Sequence, residues 1–150
     1  MMTIKQKLYE YCINTVEEQI TLATAAMEAA QHAANSETKS SAGDKYETGR
    51  AMAHLDKDRH ARQLSMALQT RQQLQQLNPN LIADTISVGS LVTTNAGRFF
   101  ISVGLGSVII NDTEYTLISV DSPLGQALLD KEEEDIVHFR KREFEIIRIE

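Results

Sequence analysis

Asp44 and Glu47 are the two side chains of this sequence best spaced to do chemistry together. They stand in Gly43-Asp44-Lys45-Tyr46-Glu47, and upstream of Gly43 the chain has no Gly and no Pro. A spacing of three puts both carboxylates on one side of a helix, and hard oxygen donors of this kind suit Mg²⁺. Two carboxylates are too few to hold Mg²⁺ or Ca²⁺ unaided, so any ion there needs further ligands from a partner. The same spacing also fits a capping box, in which an Asp at a helix start and a Glu three residues on satisfy orphan backbone N–H groups. On spacing alone the capping box is the favoured reading.

The remaining reactive side chains suggest no site. His54 and His60 are six residues apart and do not share a helix face. His32 and His54 could meet across two helices, but no Cys or further His completes a metal set, so they read as helix-surface residues. Cys12, the one cysteine, falls in an apolar helical stripe and reads as a small core residue. A Cys nucleophile would need positioned His partners. Asp130 to Asp135, "DKEEED", reads as a solvated acidic loop. No P-loop, G-x-G-x-x-G or G-x-S-x-G pattern occurs, so nothing suggests a stand-alone enzyme.

The elements that must carry Asp44 and Glu47 are helical. Residues 1–78 hold two glycines, Gly43 and Gly49, and no proline, and are rich in good helix formers. Ile4 and Leu8 open an apolar stripe that continues through Val16, Ile20, Ala23, Met27, Ala30 and Ala34 at alternating steps of four and three, the seam of a coiled coil. Ala51, Leu55, Leu64, Leu68, Leu74 and Leu77 supply a second, less regular stripe. Two runs of similar length, roughly 3–35 and 45–77, predict an antiparallel helical hairpin with Asp44 and Glu47 at its tip. Alanines crowd the tip end, and small residues permit close helix approach, so the distal half should be slender.

The grammar changes at "LNPNLIAD". Residues 79–150 hold both prolines and the other five glycines, and Val, Ile and Thr become frequent. "TISVGSLVTT" and "RFFISV" flank Asn95-Ala96-Gly97, and "SVII" and "EYTLISV" flank Asn111-Asp112, both hairpin signals. Ser122-Pro123 opens a short helix, with Ser as N-cap and Pro in the first helical position. "DIVHF" and "EFEIIRI" close as alternating strands. The expected fold is α+β: a coiled-coil hairpin over 1–78, then a small antiparallel β domain with one short helix over 79–150.

Charge divides with the halves. Residues 1–78 carry nine Lys/Arg and nine Asp/Glu; residues 79–150 carry six and twelve, the whole of the −6 net charge. Such a balance argues against nucleic-acid binding over a broad surface. One cysteine in 150 residues permits no intrachain disulfide and points to a reducing compartment. The N-terminus lacks an apolar signal-peptide region, and "FFISVGLGSVII" is too short and glycine-broken to span a bilayer. A cytoplasmic location with no membrane contact is expected.

The chain resembles the bacterial Gre transcript-cleavage factors. The resemblance rests on Gly43-Asp44-Lys45-Tyr46-Glu47, on "SVDSPLGQALLDK" from Ser119 to Lys131, and on the closing "REFEIIRIE". It implies a hairpin plus an FKBP-like domain that docks on RNA polymerase, with Asp121, Ser122 and Pro123 matching the family's docking loop. The hairpin would enter the secondary channel, where Asp44 and Glu47 would share the second catalytic Mg²⁺ with polymerase; no cofactor would be bound alone. Lys39, Lys45, Tyr46 and Arg50 would support the tip or contact the RNA 3′ end. The chain itself would be no enzyme and take no small-molecule substrate, but would stimulate polymerase's own RNA cleavage. Thr48-Gly49-Arg50-Ala51 stand where the family commonly has Asn-Ala-Glu-Tyr, which keeps open a polymerase-binding regulator without cleavage activity. Peptidyl-prolyl isomerisation by the FKBP-like domain is a remote alternative, because Phe99, Phe100, Tyr115, Phe139 and Phe144 are mostly required by the core.

Overall fold

A computed structural model describes residues 1–38 and 43–150, and the side chains of 1–36 and 47–150. Two long helices come first, α1 (Ile4–Thr38) and α2 (Gly43–Gln76). Then follow β1 (Leu91–Thr94), β2 (Gly97–Ser102), β3 (Gly106–Ile110), β4 (Thr113–Ser119), α3 (Pro123–Leu128), β5 (Ile136–Phe139) and β6 (Arg142–Ile149). This is the expected two-helix hairpin followed by a sheet with one short helix. Among the described residues, no helix is long and apolar enough to cross a membrane.

Packing divides the chain into two units. One comprises Asn14–Arg71; the other joins Met1–Ile13 to Gln72–Glu150. In the first unit, Val16, Ala23, Ala30 and Ala34 of α1 are buried, as are Ala53 and Ala67 of α2. The α1 seam is the one its four-and-three spacing predicts. The second stripe meets expectation only in part: Leu64 is half-buried and Leu74 and Leu77 are buried. Ala51, Leu55 and Leu68 are exposed, and Ala53 and Ala67 are buried in their place, with His60 half-buried between them. Leu55 and Leu68 misled, because alanine is what lets two helices approach closely. Arg71 reaches Glu17 at 3.4 Å across the pair, a half-exposed contact worth little.

The second unit is built on a six-stranded sheet in the order β3-β4-β2-β1-β6-β5. All neighbours are antiparallel except β2 and β4, which run parallel with Phe99 opposite Thr116 and Ile101 opposite Ile118. The exception arises because β3 lies between them in sequence but outside β4 in space. Asn111 and Asp112 form the predicted β3–β4 turn with φ of 52° and 63°, the left-handed pair a two-residue hairpin requires. The core gathers Ile86 with Val92, Phe99, Ile101, Val137, Phe144 and Ile146 of the sheet and Leu128 of α3. Phe99 and Phe144 meet edge to face at 6.0 Å.

The base of the helical pair belongs to this unit. Leu8, Cys12, Leu74 and Leu77 are buried, and the Tyr9 hydroxyl donates to the Leu74 carbonyl at 3.1 Å. Leu77 lies against Gly89, where the backbone has φ of +96° and a side chain would press on the Asn78 carbonyl. Lys5 is buried, and its ammonium donates to the main-chain oxygens of Leu81 at 2.6 Å and Glu150 at 3.2 Å. Burial holds its pKa below the usual lysine value, with Glu150 acting in the opposite direction.

Cys12 makes a pH-dependent prediction. Burial pushes its thiol up to about 11, while a hydrogen bond with Ser102 acts the other way. The unfolded thiol ionises near 9.0, so the folded state holds the proton longer. Cys12's contribution to stability is complete below pH 9 and is lost as pH rises toward 11, by up to roughly 3 kcal/mol. Urea unfolding at pH 8 and pH 10.5 should show a larger fall for the wild type than for Cys12→Ala. Equal falls would contradict this assignment.

Candidate functional site

Two regions hold the candidate residues. The first is the start of α2. The helix opens at Gly43, so Asp44 and Glu47 both lie at its start. Acidic residues here are favoured by the positive end of the helix dipole. Glu47 and Arg50 are exposed, one helical turn apart. Lys39 lies outside the described residues, as do the side chains of Asp44, Lys45 and Tyr46. Among the described residues, no three His, Cys, Asp or Glu side chains group as a metal site.

The second region is the loop from β4 to α3, and its geometry is complete. Ser122 has extended backbone, with φ −69° and ψ 156°, and caps α3 as predicted. Its hydroxyl accepts from Gly125 N at 3.0 Å and donates to the Ser119 carbonyl at 2.7 Å. The Ser119 carbonyl also takes the Ser122 N–H at 3.1 Å, and Ser119 Oγ takes the Asp121 N–H at 3.1 Å. Gln126 closes the loop from the other side, its Nε2 donating to the Val120 carbonyl at 2.6 Å. Five hydrogen bonds thus fix the eight residues from Ser119 to Gln126.

Those bonds sort the three predicted docking residues. The Ser122 hydroxyl is spent inside the loop as a brace. Asp121 and Pro123 are exposed, and the Asp121 carboxylate has no hydrogen bond or ion pair among the described residues. Gly125 is buried, and a Cβ placed on it would stand 2.1 Å from the Ser119 carbonyl oxygen. Only glycine allows helix and loop to approach this closely. Gly125 and Gln126 were not singled out from sequence, although the Ser-Pro-aliphatic-Gly pattern contains the glycine.

The acidic run is solvated as read, with residues 130–134 exposed, and it is also tied by hydrogen bonds. Asp130 and Glu134 have positive φ, of 65° and 78°. Asp135 accepts the Glu132 N–H at 2.8 Å, and Glu133 accepts the Ile149 N–H at 3.1 Å. These carboxylates tie the connection to β6.

A helical pair followed by a mostly antiparallel sheet, with a capped, glycine-locked loop ahead of its short helix, defines the class. Residues 104–150 match the family model described as "Transcription elongation factor, GreA/GreB, C-term". The matched segment contains the whole loop from Ser119 to Gly125 as well as the closing strand. Residues 39–50 lie outside the match. One solved structure, titled "Structure of the transcription factor Gfh1", is similar over 94% of this chain and 92% of that chain, at 21% identity and a TM-score of 0.36. A search of curated proteins finds no match.

Proposed function

We propose that this chain is a Gre-type elongation factor that docks on RNA polymerase and promotes cleavage of backtracked RNA. The observation that carries the reading is the GreA/GreB match over residues 104–150, which includes the loop presenting Asp121 and Pro123. In this reading the loop docks, the helical pair enters the secondary channel, and Asp44 and Glu47 reach the active centre. Their carboxylates suit a hard cation such as Mg²⁺ but are too few to bind it alone, so polymerase supplies the remaining ligands. The shared ion would activate a water and stabilise the in-line transition state of phosphodiester hydrolysis. Lys39, Lys45, Tyr46 and Arg50 would flank the RNA 3′ end.

The test is RNA length in stalled elongation complexes of the cognate polymerase. Addition of the protein should shorten the transcript. Binding with full-length RNA at saturating Mg²⁺ would replace this reading with that of a polymerase-binding regulator without cleavage activity.

Docking makes its own prediction. The Asp121 carboxylate has no partner among the described residues, so Asp121→Asn should leave thermal stability unchanged. A charge-assisted contact to polymerase is worth about 1.5–3 kcal/mol, so affinity should fall roughly 10- to 100-fold. Unchanged affinity in a polymerase titration would remove Asp121 from the interface.

A further inference from the structure

Three cations stand in a row on the β5–β6 hairpin. Arg140 and Lys141 form its two-residue loop, and Arg142 pairs with Phe139 where the strands begin. All three are exposed, and none has a carboxylate partner among the described residues. The nearest acid, Glu143, faces His138 at 3.7 Å. This is concentrated positive charge in the half of the chain that carries the entire acidic excess.

The turn is built at a cost. Arg140 and Lys141 both have positive φ, of 50° and 65°, a region that disfavours an ordinary L-residue by roughly 1–2 kcal/mol. The β3–β4 turn meets the same need with Asn111 and Asp112, whose short polar side chains tolerate it. Long cationic side chains lack the short polar group that eases this conformation. The Arg140 guanidinium lies 5.1 Å over the Phe139 ring, and that of Arg142 lies 5.6 Å over the Phe144 ring. Stacking orders a guanidinium and leaves its N–H edge free to bond an anion. Asn95 braces the adjoining strand, donating to the Glu143 carbonyl at 3.2 Å and accepting the Glu145 N–H at 2.8 Å.

We infer that this turn is a contact site for the phosphate backbone of duplex DNA. From His138 to Glu143 no large apolar side chain is exposed, whereas a protein interface needs an apolar centre and a phosphate contact does not. Single-stranded RNA is held largely by stacking its bases on aromatic rings. Here Phe144 is buried and both rings lie beneath guanidinium groups, so backbone contact with a duplex fits better. Three cations would neutralise about two or three phosphates, with no sequence preference.

The test uses the full chain and a short mixed-sequence DNA duplex, with no polymerase present, so its outcome is independent of the proposed function. Binding at low ionic strength should show a slope of about −2 to −3 in log affinity against log salt concentration. Arg140→Asn/Lys141→Gly supplies the preferred turn residues, so it should raise the melting temperature and reduce the slope by about 2. Arg140→Gln/Lys141→Gln, which keeps two long L-residues in the turn, should lose the same slope. Absence of duplex binding by the wild type, or an unchanged slope in the second variant, would overturn the inference. So would equal competition by an acidic polypeptide or single-stranded RNA, which would assign the turn to another partner.

Discussion

Asp44→Asn/Glu47→Gln is expected to abolish stimulated RNA cleavage while leaving folding and polymerase binding nearly intact. The substitution removes two charges and almost no volume. Each carboxylate at the start of α2 contributes about 0.3–1 kcal/mol through the helix dipole, so the melting temperature should fall only slightly. Asn and Asp have similar helix propensities, as do Gln and Glu. The Glu47 side chain is exposed, so no packing is lost with it. An amide oxygen carries no net charge and holds Mg²⁺ far less well than a carboxylate. Cleavage should therefore fall by orders of magnitude at fixed polymerase occupancy, with partial recovery at raised Mg²⁺. Melting temperature, polymerase affinity and transcript length, measured on the same preparations, separate the roles. Wild-type cleavage by the double variant would end the metal reading and leave the acids as helix stabilisers. Lost cleavage with large destabilisation would also fail to support it.

Gly125→Ala is expected to be the most disruptive small substitution in the sheet unit. The added methyl would stand 2.1 Å from the Ser119 carbonyl oxygen and 3.0 Å from Ser122 Oγ. Both atoms belong to the hydrogen-bonded loop, so neither moves without breaking its bonds. Overpacking of this kind costs about 1–3 kcal/mol, with broken hydrogen bonds adding to it. The urea midpoint should fall clearly, and polymerase affinity should fall even where the protein is still folded, because Asp121 and Pro123 ride on the displaced segment. Ser122→Ala, which removes the brace but adds no bulk, should give a smaller loss of about 0.5–2 kcal/mol. If Gly125→Ala matched the wild type in both measurements, the loop would not be locked as described.

What the sequence disclosed depended on how local the determinant was. The cap at Ser122-Pro123 and the Asn111-Asp112 turn are written in adjacent residues whose backbone preferences leave little choice, and both form as expected. The α1 seam was legible because its apolar steps repeat without interruption. The α2 seam was legible only in part: Leu64, Leu74 and Leu77 turn inward as read, whereas Leu55 and Leu68 outrank Ala53 and Ala67 in hydrophobicity and yet are exposed. The parallel pairing of β2 with β4 depends on where β3 lies in space, which no local pattern encodes. The Arg140-Lys141 turn ran against turn chemistry altogether. At the candidate site, the Ser122 cap followed from the motif, but the role of Gly125 required the distance to the Ser119 carbonyl.

The position of β6 governs the order in which the molecule can assemble. β6 pairs with β1 on one side and β5 on the other, and the Lys5 ammonium caps carbonyls at both Leu81 and Glu150. As the chain leaves the ribosome, the helices emerge and pair through contacts within residues 1–78. β1 and β2 can close as a local hairpin soon after. Neither β1 nor Lys5 has its full set of partners until the last strand has been synthesised. Phe99, Val92 and Ile101 therefore wait, partly uncovered, for Phe144 and Ile146. Nascent chains stalled before residue 142 should present an unfinished sheet that invites chaperone capture, and release of β6 is the step that commits the base of the helices to the sheet.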